Sequence, residues 1–176
     1  MRTTEKKEYM VVLIILLLAV ATGFFMSSRH SRLVMKYPDQ QAKLTEDDFS
    51  IITARGVLKV GSSSFAEVTR LYPQGKTLGM STVYAPENSG CLFTFSKKEN
   101  ILIKIHIDSS EVSTFRHITV NQPFTKVVTA YGNNFARVSQ QNDTDNFDAV
   151  YGSDDSIVFQ VRDNMVKKII VQKEVR

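Results

Sequence analysis

The stretch Gly61-Ser62-Ser63-Ser64 is the part of the chain whose residue types could hold an anion or present a nucleophile. Free N–H groups at the start of a helix attract negative charge, and a serine placed there can attack an acyl carbon. The same residues also serve as a plain helix cap. No G-x-x-x-x-G-K-[ST] or G-x-S-x-G spacing accompanies them, so capping is the reading the sequence favours. A second candidate is Asn142-Asp143-Thr144-Asp145-Asn146-Phe147-Asp148, a run of oxygen donors. A calcium loop needs a glycine at its sixth position and a closing glutamate; counted from Asp143, those places hold Asp148 and Asp154. A solvated acidic loop is therefore expected. His30, His106 and His117 have no ligand-type neighbour at helical or strand spacing, which gives no metal motif. Cys91 is the single cysteine, without a disulfide or C-x-x-C partner, and reads as a small buried apolar residue. Lys97-Lys98 and Lys167-Lys168 read as solvated faces that protect strand edges, or as attractors of anionic head groups. No catalytic residue, metal or cofactor emerges, and the chain reads as something other than an enzyme.

The elements that carry these residues come in two similar sets. Val60, Phe65, Val68 and Tyr72 stand beside Val120, Phe124, Val127 and Tyr131 as a weak internal repeat. Ser64 and Glu67 have capping-box spacing, and Phe65, Val68 and Tyr72 then share a helix face. In the second set Pro123 suits a first helical position. Phe124, Val127, Val128 and Tyr131 form the stripe, and Gly132 can end the helix. Each helix precedes strand patterns. The first is followed by residues 82–85, then 91–95 and 101–107 as a hairpin; the second by 147–151, then 156–161 and 165–172. Ile101, Ile103, Ile105 and Ile107 alternate with Leu102, Lys104 and His106, which predicts one buried face. The fold class expected is α+β: an antiparallel sheet from two tandem helix-plus-hairpin repeats, with the short helices on one face.

The run Ile52-Thr53-Ala54-Arg55-Gly56-Val57-Leu58-Lys59-Val60-Gly61-Ser62, followed by Phe65-Ala66-Glu67-Val68 and Tyr72, resembles the opening of small exported bacterial proteins. The two-copy arrangement is similar to the β-lactamase inhibitory protein fold and its outer-membrane assembly lipoprotein relatives of the SmpA/OmlA type, with Asn121 where the first copy has Gly61. The resemblance spans residues 51–171. It implies a protein-binding or assembly module, and no functional residue carries over.

Residues 10–26 are uncharged and apolar, flanked by Arg2, Lys6 and Lys7 before and Arg29, His30 and Arg32 after. As a helix they extend about 25 Å, close to a membrane's hydrocarbon thickness. They read as a single-pass signal anchor. The alternative is a signal peptide cleaved after Ala21, since Ala19-Val20-Ala21 has small-x-small form. The organisation expected is a tail over 1–9, the apolar segment over 10–26, a stalk over 27–50 and a folded domain over 51–176, its repeats meeting near residue 110. Of the net charge of +4, +3 lies in the first 35 residues. The near-neutral remainder argues against nucleic acid as a partner. The function expected is a membrane-anchored, extracytoplasmic protein-interaction module. Its partner would meet the sheet face that the helices leave open, through Tyr84, Tyr151, Lys104 and His106, with no small-molecule cofactor implied. The alternative is a small hydrolase or ligand-binding domain with a cleft between the repeats.

Overall fold

The computed structural model describes residues 33–79, 82–141 and 143–174. These form one compact unit beginning at Leu33. Its elements are strand β1 (Leu33–Lys36), a 3-10 turn (Glu46–Phe49), β2 (Ser50–Thr53), β3 (Gly56–Lys59), helix α1 (Phe65–Leu71), β4 (Gly75–Thr77), β5 (Val83–Pro86), β6 (Cys91–Phe95), β7 (Leu102–Ile107), β8 (Ser113–Thr114), helix α2 (Phe124–Tyr131), β9 (Ala136–Gln140), β10 (Phe147–Gly152), β11 (Ser156–Arg162) and β12 (Met165–Gln172). The fold is α+β: nine antiparallel strands in the order β1-β9-β10-β11-β12-β7-β6-β5-β4, a small β3-β2-β8 sheet, and two short helices.

Helix α1 begins where the capping spacing places it. The Ser64 N–H donates to Glu67 Oε2 at 2.7 Å, and the Glu67 N–H donates back to Ser64 Oγ at 3.2 Å. Two otherwise orphaned N–H groups are thereby satisfied. Pro123 stands one position earlier than expected, as the N-cap of α2. Neither helix is long enough to be stable alone; each is held by its apolar face. Val68 and Tyr72 turn toward Phe93, and Val127 and Tyr131 toward Phe159. Phe93 pairs with Ile105, Ile105 with Val171, and Ile169 with Phe159, so these side chains share one sheet face. Both helices and the small sheet cover that face, and the core lies between.

The two halves of the large sheet correspond in detail. β4 to β7 follow α1, β9 to β12 follow α2, and β7 and β12 meet at the centre through Ile105–Val171 and Ile107–Ile169. The N–H of Phe65 donates to Asn100 O at 3.0 Å, and that of Phe124 to Asn164 O at 2.8 Å. The N–H of Gly61 donates to Leu102 O and that of Asn121 to Val166 O, both at 2.7 Å. Gly61 and Asn121 both take positive φ, +90° and +67°. Asparagine is among the few residues that tolerate this region, which is how it replaces the glycine. Each central hairpin, β6–β7 and β11–β12, also carries a register shift at the matching place, between Thr94 and Phe95 and between Gln160 and Val161.

The first shift corrects the alternation expected for residues 101–107. A bulge inserts one residue and inverts the inward-outward parity beyond it. Leu102, Ile105 and Ile107 are buried, while Ile103 is only half-buried. The stalk expected over 27–50 is also corrected for its described part. β1 pairs with β9 over four residues, and Asp48 and Phe49 are buried. Asp48 receives Arg116 through Nε at 2.6 Å and Nη2 at 2.7 Å, and Arg116 Nη1 donates to Ala130 O at 2.7 Å. The polar composition of 33–50 hid a segment held by strand pairing and one buried ion pair. Residues 10–26 lie outside the described residues. Among the described residues no helix is long and apolar enough to cross a membrane.

Gly152 closes the turn between β10 and β11 at φ +84°, and an added Cβ would meet Asp155 O at 2.2 Å and Leu44 Cδ1 at 2.9 Å. Gly79 also has positive φ, +59°, but faces open space. Left-handed backbone costs a non-glycine residue about 1–2 kcal/mol. Gly152→Ala should therefore lose about 2 kcal/mol or more, and Gly79→Ala about 1 kcal/mol, read from urea midpoints at unchanged slope.

Candidate interaction face

Cross-strand registry defines what lies on the face that the helices leave open. Leu92 stands opposite His106, His106 opposite Ile170, Ile170 opposite Val158, and Val158 opposite Val150. Five neighbouring strands thus carry one row about 20 Å long, apolar except for the His106 imidazole. Strand side chains alternate between faces, so this row is the complement of the buried one. A polar row runs along one side: Thr94, Lys104, Gln172 and Ser156, with Gln172 Nε2 donating to Ser156 Oγ at 3.0 Å. Along the other side run Lys168, Gln160 and Asp148. Asp148 accepts from Gln160 Nε2 at 3.2 Å and from Arg162 Nη1 at 3.1 Å, and Lys168 pairs with Asp108 at 3.3 Å. The polar flanks are thus largely fixed by internal bonds, while in the band between them Leu92 is exposed and His106, Ile170, Val158 and Val150 are half-buried.

Lys104 and His106 are brought to the centre of this face, on β7 beside the meeting of the two halves. Partial burial and the charges of Lys104 and Lys168 lower the His106 pKa, against the opposing charge of Asp108. The ring is therefore neutral at neutral pH and joins the apolar row rather than adding a cation.

Tyr84 and Tyr151 are corrections. Both are buried on the helix side of the sheet. The Tyr84 O–H donates to Tyr72 O at 2.6 Å, and the Tyr151 O–H to Gly132 O at 2.7 Å. Tyr151 is ringed by Tyr131, Phe135 and Phe159, and burial pushes its hydroxyl pKa up. Strand residues of opposite parity face opposite sides, and nothing in a single strand's sequence says which side the helices cover. Ile170, Val158, Val150 and Leu92 are the residues that sequence reasoning missed. Each strand carries one such residue among polar neighbours, as Val158 stands between Ser156 and Gln160 in β11 and Ile170 between Lys168 and Gln172 in β12, so no single strand's pattern marks the row.

The other candidates resolve into structure. Ser63 Oγ accepts from the Lys59 N–H at 3.0 Å, so both it and Ser64 serve the turn and the cap. Asp143 Oδ1 accepts from the Asn146 and Asp145 N–H groups at 2.9 and 3.1 Å, a side-chain-closed turn. Among the described residues no group of three metal-ligating side chains occurs. Cys91 is buried, and burial with the nearby charge of Asp108 pushes its thiol up to about 12. His117 sits in the turn after β8 at φ +60°. A depression of about 590 Å³ lies beside the polar row where the halves meet, lined by residues including Ser96, Lys104, Ser153 and Lys173. Lys173 Nζ is committed to Glu46 at 2.9 Å, and no histidine lines the depression among the described residues.

No family model and no curated protein matches the chain. Among solved structures it is similar to an extracellular protein containing a SCP domain from Bacillus anthracis str. Ames, at 7% identity and a TM-score of 0.48. The likeness covers 79% of this chain and 50% of that one, so the chain spans about half the length of that protein.

Proposed function

We propose that the chain is a membrane-anchored, extracytoplasmic protein-interaction module that takes a partner protein on the open face of its large sheet. The observation that carries this is the apolar band Leu92–His106–Ile170–Val158–Val150 between fixed polar rows. An apolar centre within a polar rim is the anatomy of protein interfaces, where a few central side chains supply most of the affinity. The uncharged run over residues 10–26 with its basic flanks supports the anchor. The matched hydrogen bonds, bulges and ring contacts of the two halves support duplication of one helix-plus-strands unit. A tandem of this kind resembles the β-lactamase inhibitory protein-like and SmpA/OmlA-like proteins, a likeness that favours a binding module.

A photo-crosslinking residue at Ile170 in the full chain, expressed in its own membranes, should capture a protein, whereas one at the exposed Arg70 of α1 should not. Val158→Lys should weaken that capture tenfold or more, because a charge at the centre of an apolar contact is desolvated without a partner. Equal capture from both positions, or none from Ile170, overturns the reading. Sequencing the mature N-terminus reports the anchor: a start at Thr22 means that the segment is cleaved and the domain released.

A further inference from the structure

We propose that β1 pairs edge to edge with β1 of a second copy of this chain, joining two nine-stranded sheets into one across a two-fold axis. The two ends of the sheet differ in a way that a lone monomer does not require. At one end β4 is three residues long, starts at Gly75, presents Lys76 and lies against Pro86. Short strands, lysine and proline are how sheets blunt an edge. At the other end β1 bonds β9 on its inner side, and among the described residues no strand lies on its outer side. Leu33, Met35 and Tyr37 are 75%, 50% and 68% exposed there. Registry places Met35 in line with Val138, Asp148 and Gln160, so this apolar row belongs to the open face.

The strand is complementary to itself. Antiparallel pairing centred on Met35 sets Met35 against Met35 of the second copy, Leu33 against its Tyr37, and Val34 against its Lys36. Three apolar cross-strand pairs then close on one face, each contributing some tenths of a kcal/mol beyond burial. Moving the centre by one residue sets Lys36 against Arg32 or against Lys36 of the second copy, and like charges directly opposite are unfavourable. A half-step slip turns one sheet over and separates the open faces. The Met35-centred register keeps both open faces on one side and doubles the band described above. A contact of about five residues is smaller than the ~800 Å² per partner of stable soluble pairs. Six residues join β1 to the apolar run ending at Met26, a reach of about 20 Å. On the anchor reading, two copies therefore share one surface, and confinement raises their effective concentration.

The test uses the full chain in vesicles. Directly opposed Cβ atoms in an antiparallel pair lie about 5 Å apart, within reach of a disulfide. Cys91 is buried and does not compete. On mild oxidation Met35→Cys should form covalent dimers at least about fivefold more efficiently than Lys76→Cys on the other edge or Lys36→Cys off the axis. Adding Val34→Pro should abolish them. Equal yields at all three positions, or none at Met35→Cys, overturn the proposal. The chain has no tryptophan, so Tyr37→Trp is a sole reporter. Its quenching by brominated lipid without Met35→Cys dimers assigns the row to the bilayer and also overturns the proposal. Carbonate extraction of the same vesicles reads the anchor separately. A retained chain that does not crosslink fails the pairing alone, and a released chain that crosslinks fails the anchor alone.

Discussion

Asp48→Asn should lower unfolding stability by about 2–3 kcal/mol, the cost of leaving the half-buried Arg116 guanidinium without its counter-charge. Asp48 is fully buried, and its two oxygens take Arg116 in fork geometry while Thr45 donates through N–H at 2.7 Å and Oγ1 at 3.0 Å. Arg116 also lies over the Tyr131 ring at 4.5 Å and caps the Ala130 carbonyl. One carboxylate therefore ties the turn before β2 to the segment between the halves and to the end of α2. Replacing both partners with apolar residues, Asp48→Leu with Arg116→Met, should recover much of the loss, since neither charge then remains buried. Urea denaturation of the two single variants and the double variant measures the coupling.

The same group sets an acid limit. Burial pushes the Asp48 carboxyl up, but hydrogen bonds from Arg116 and Thr45, with the charge of Arg116, outweigh it and hold the pKa below the usual carboxylate value. A folded-state pKa depressed in this way gives stability that is present in full above the unfolded value, about 4, and is lost as pH falls through the folded value below it. Wild type should lose stability across that acid window. Asp48→Asn should show a flatter profile there, because its contribution is already absent at neutral pH.

Phe159→Ala should cost about 3–5 kcal/mol, and Phe93→Ala a matching amount. Phe159 is fully buried and meets the rings of Tyr131 at 5.3 Å and Tyr151 at 5.8 Å. Phe93 is equally buried and meets Tyr72 at 5.5 Å. Each stands under its helix, opposite Ile169 or Ile105 in the central strands. Truncation removes an aromatic contact and leaves a cavity that a nine-stranded sheet with fixed registry cannot close. If the halves share one interior, both variants should unfold in a single transition, seen alike by circular dichroism and tyrosine fluorescence. Separate transitions would show two independent cores.

Local chemistry in the sequence determined a good part of this protein. Ser64 and Glu67 fixed the start of α1 through their reciprocal bonds, and Gly132 ended α2. The spacing of Val68 and Tyr72 against Val127 and Tyr131 marked the faces that became buried, with Phe65 and Phe124 at their rims. The hairpins over β6–β7 and β11–β12 were legible because their turn residues and strand alternation lie within about twenty residues of one another. Such features depend on neighbours along the chain.

What only the tertiary structure decided depends on distant neighbours. Leu33–Lys36, at the head of an otherwise polar stretch, looks like linker until β9, a hundred residues away, supplies its hydrogen bonds. Asp48 looks like a surface acid until Arg116 reaches it. Tyr84 and Tyr151 read as exposed anchors and proved to be core, because strand parity says that two faces exist and only helix packing says which one is covered. For the same reason the apolar band through His106 and Ile170 became visible only when five strands were laid in register. A strand holds one residue of such a row, and the row exists only across the sheet.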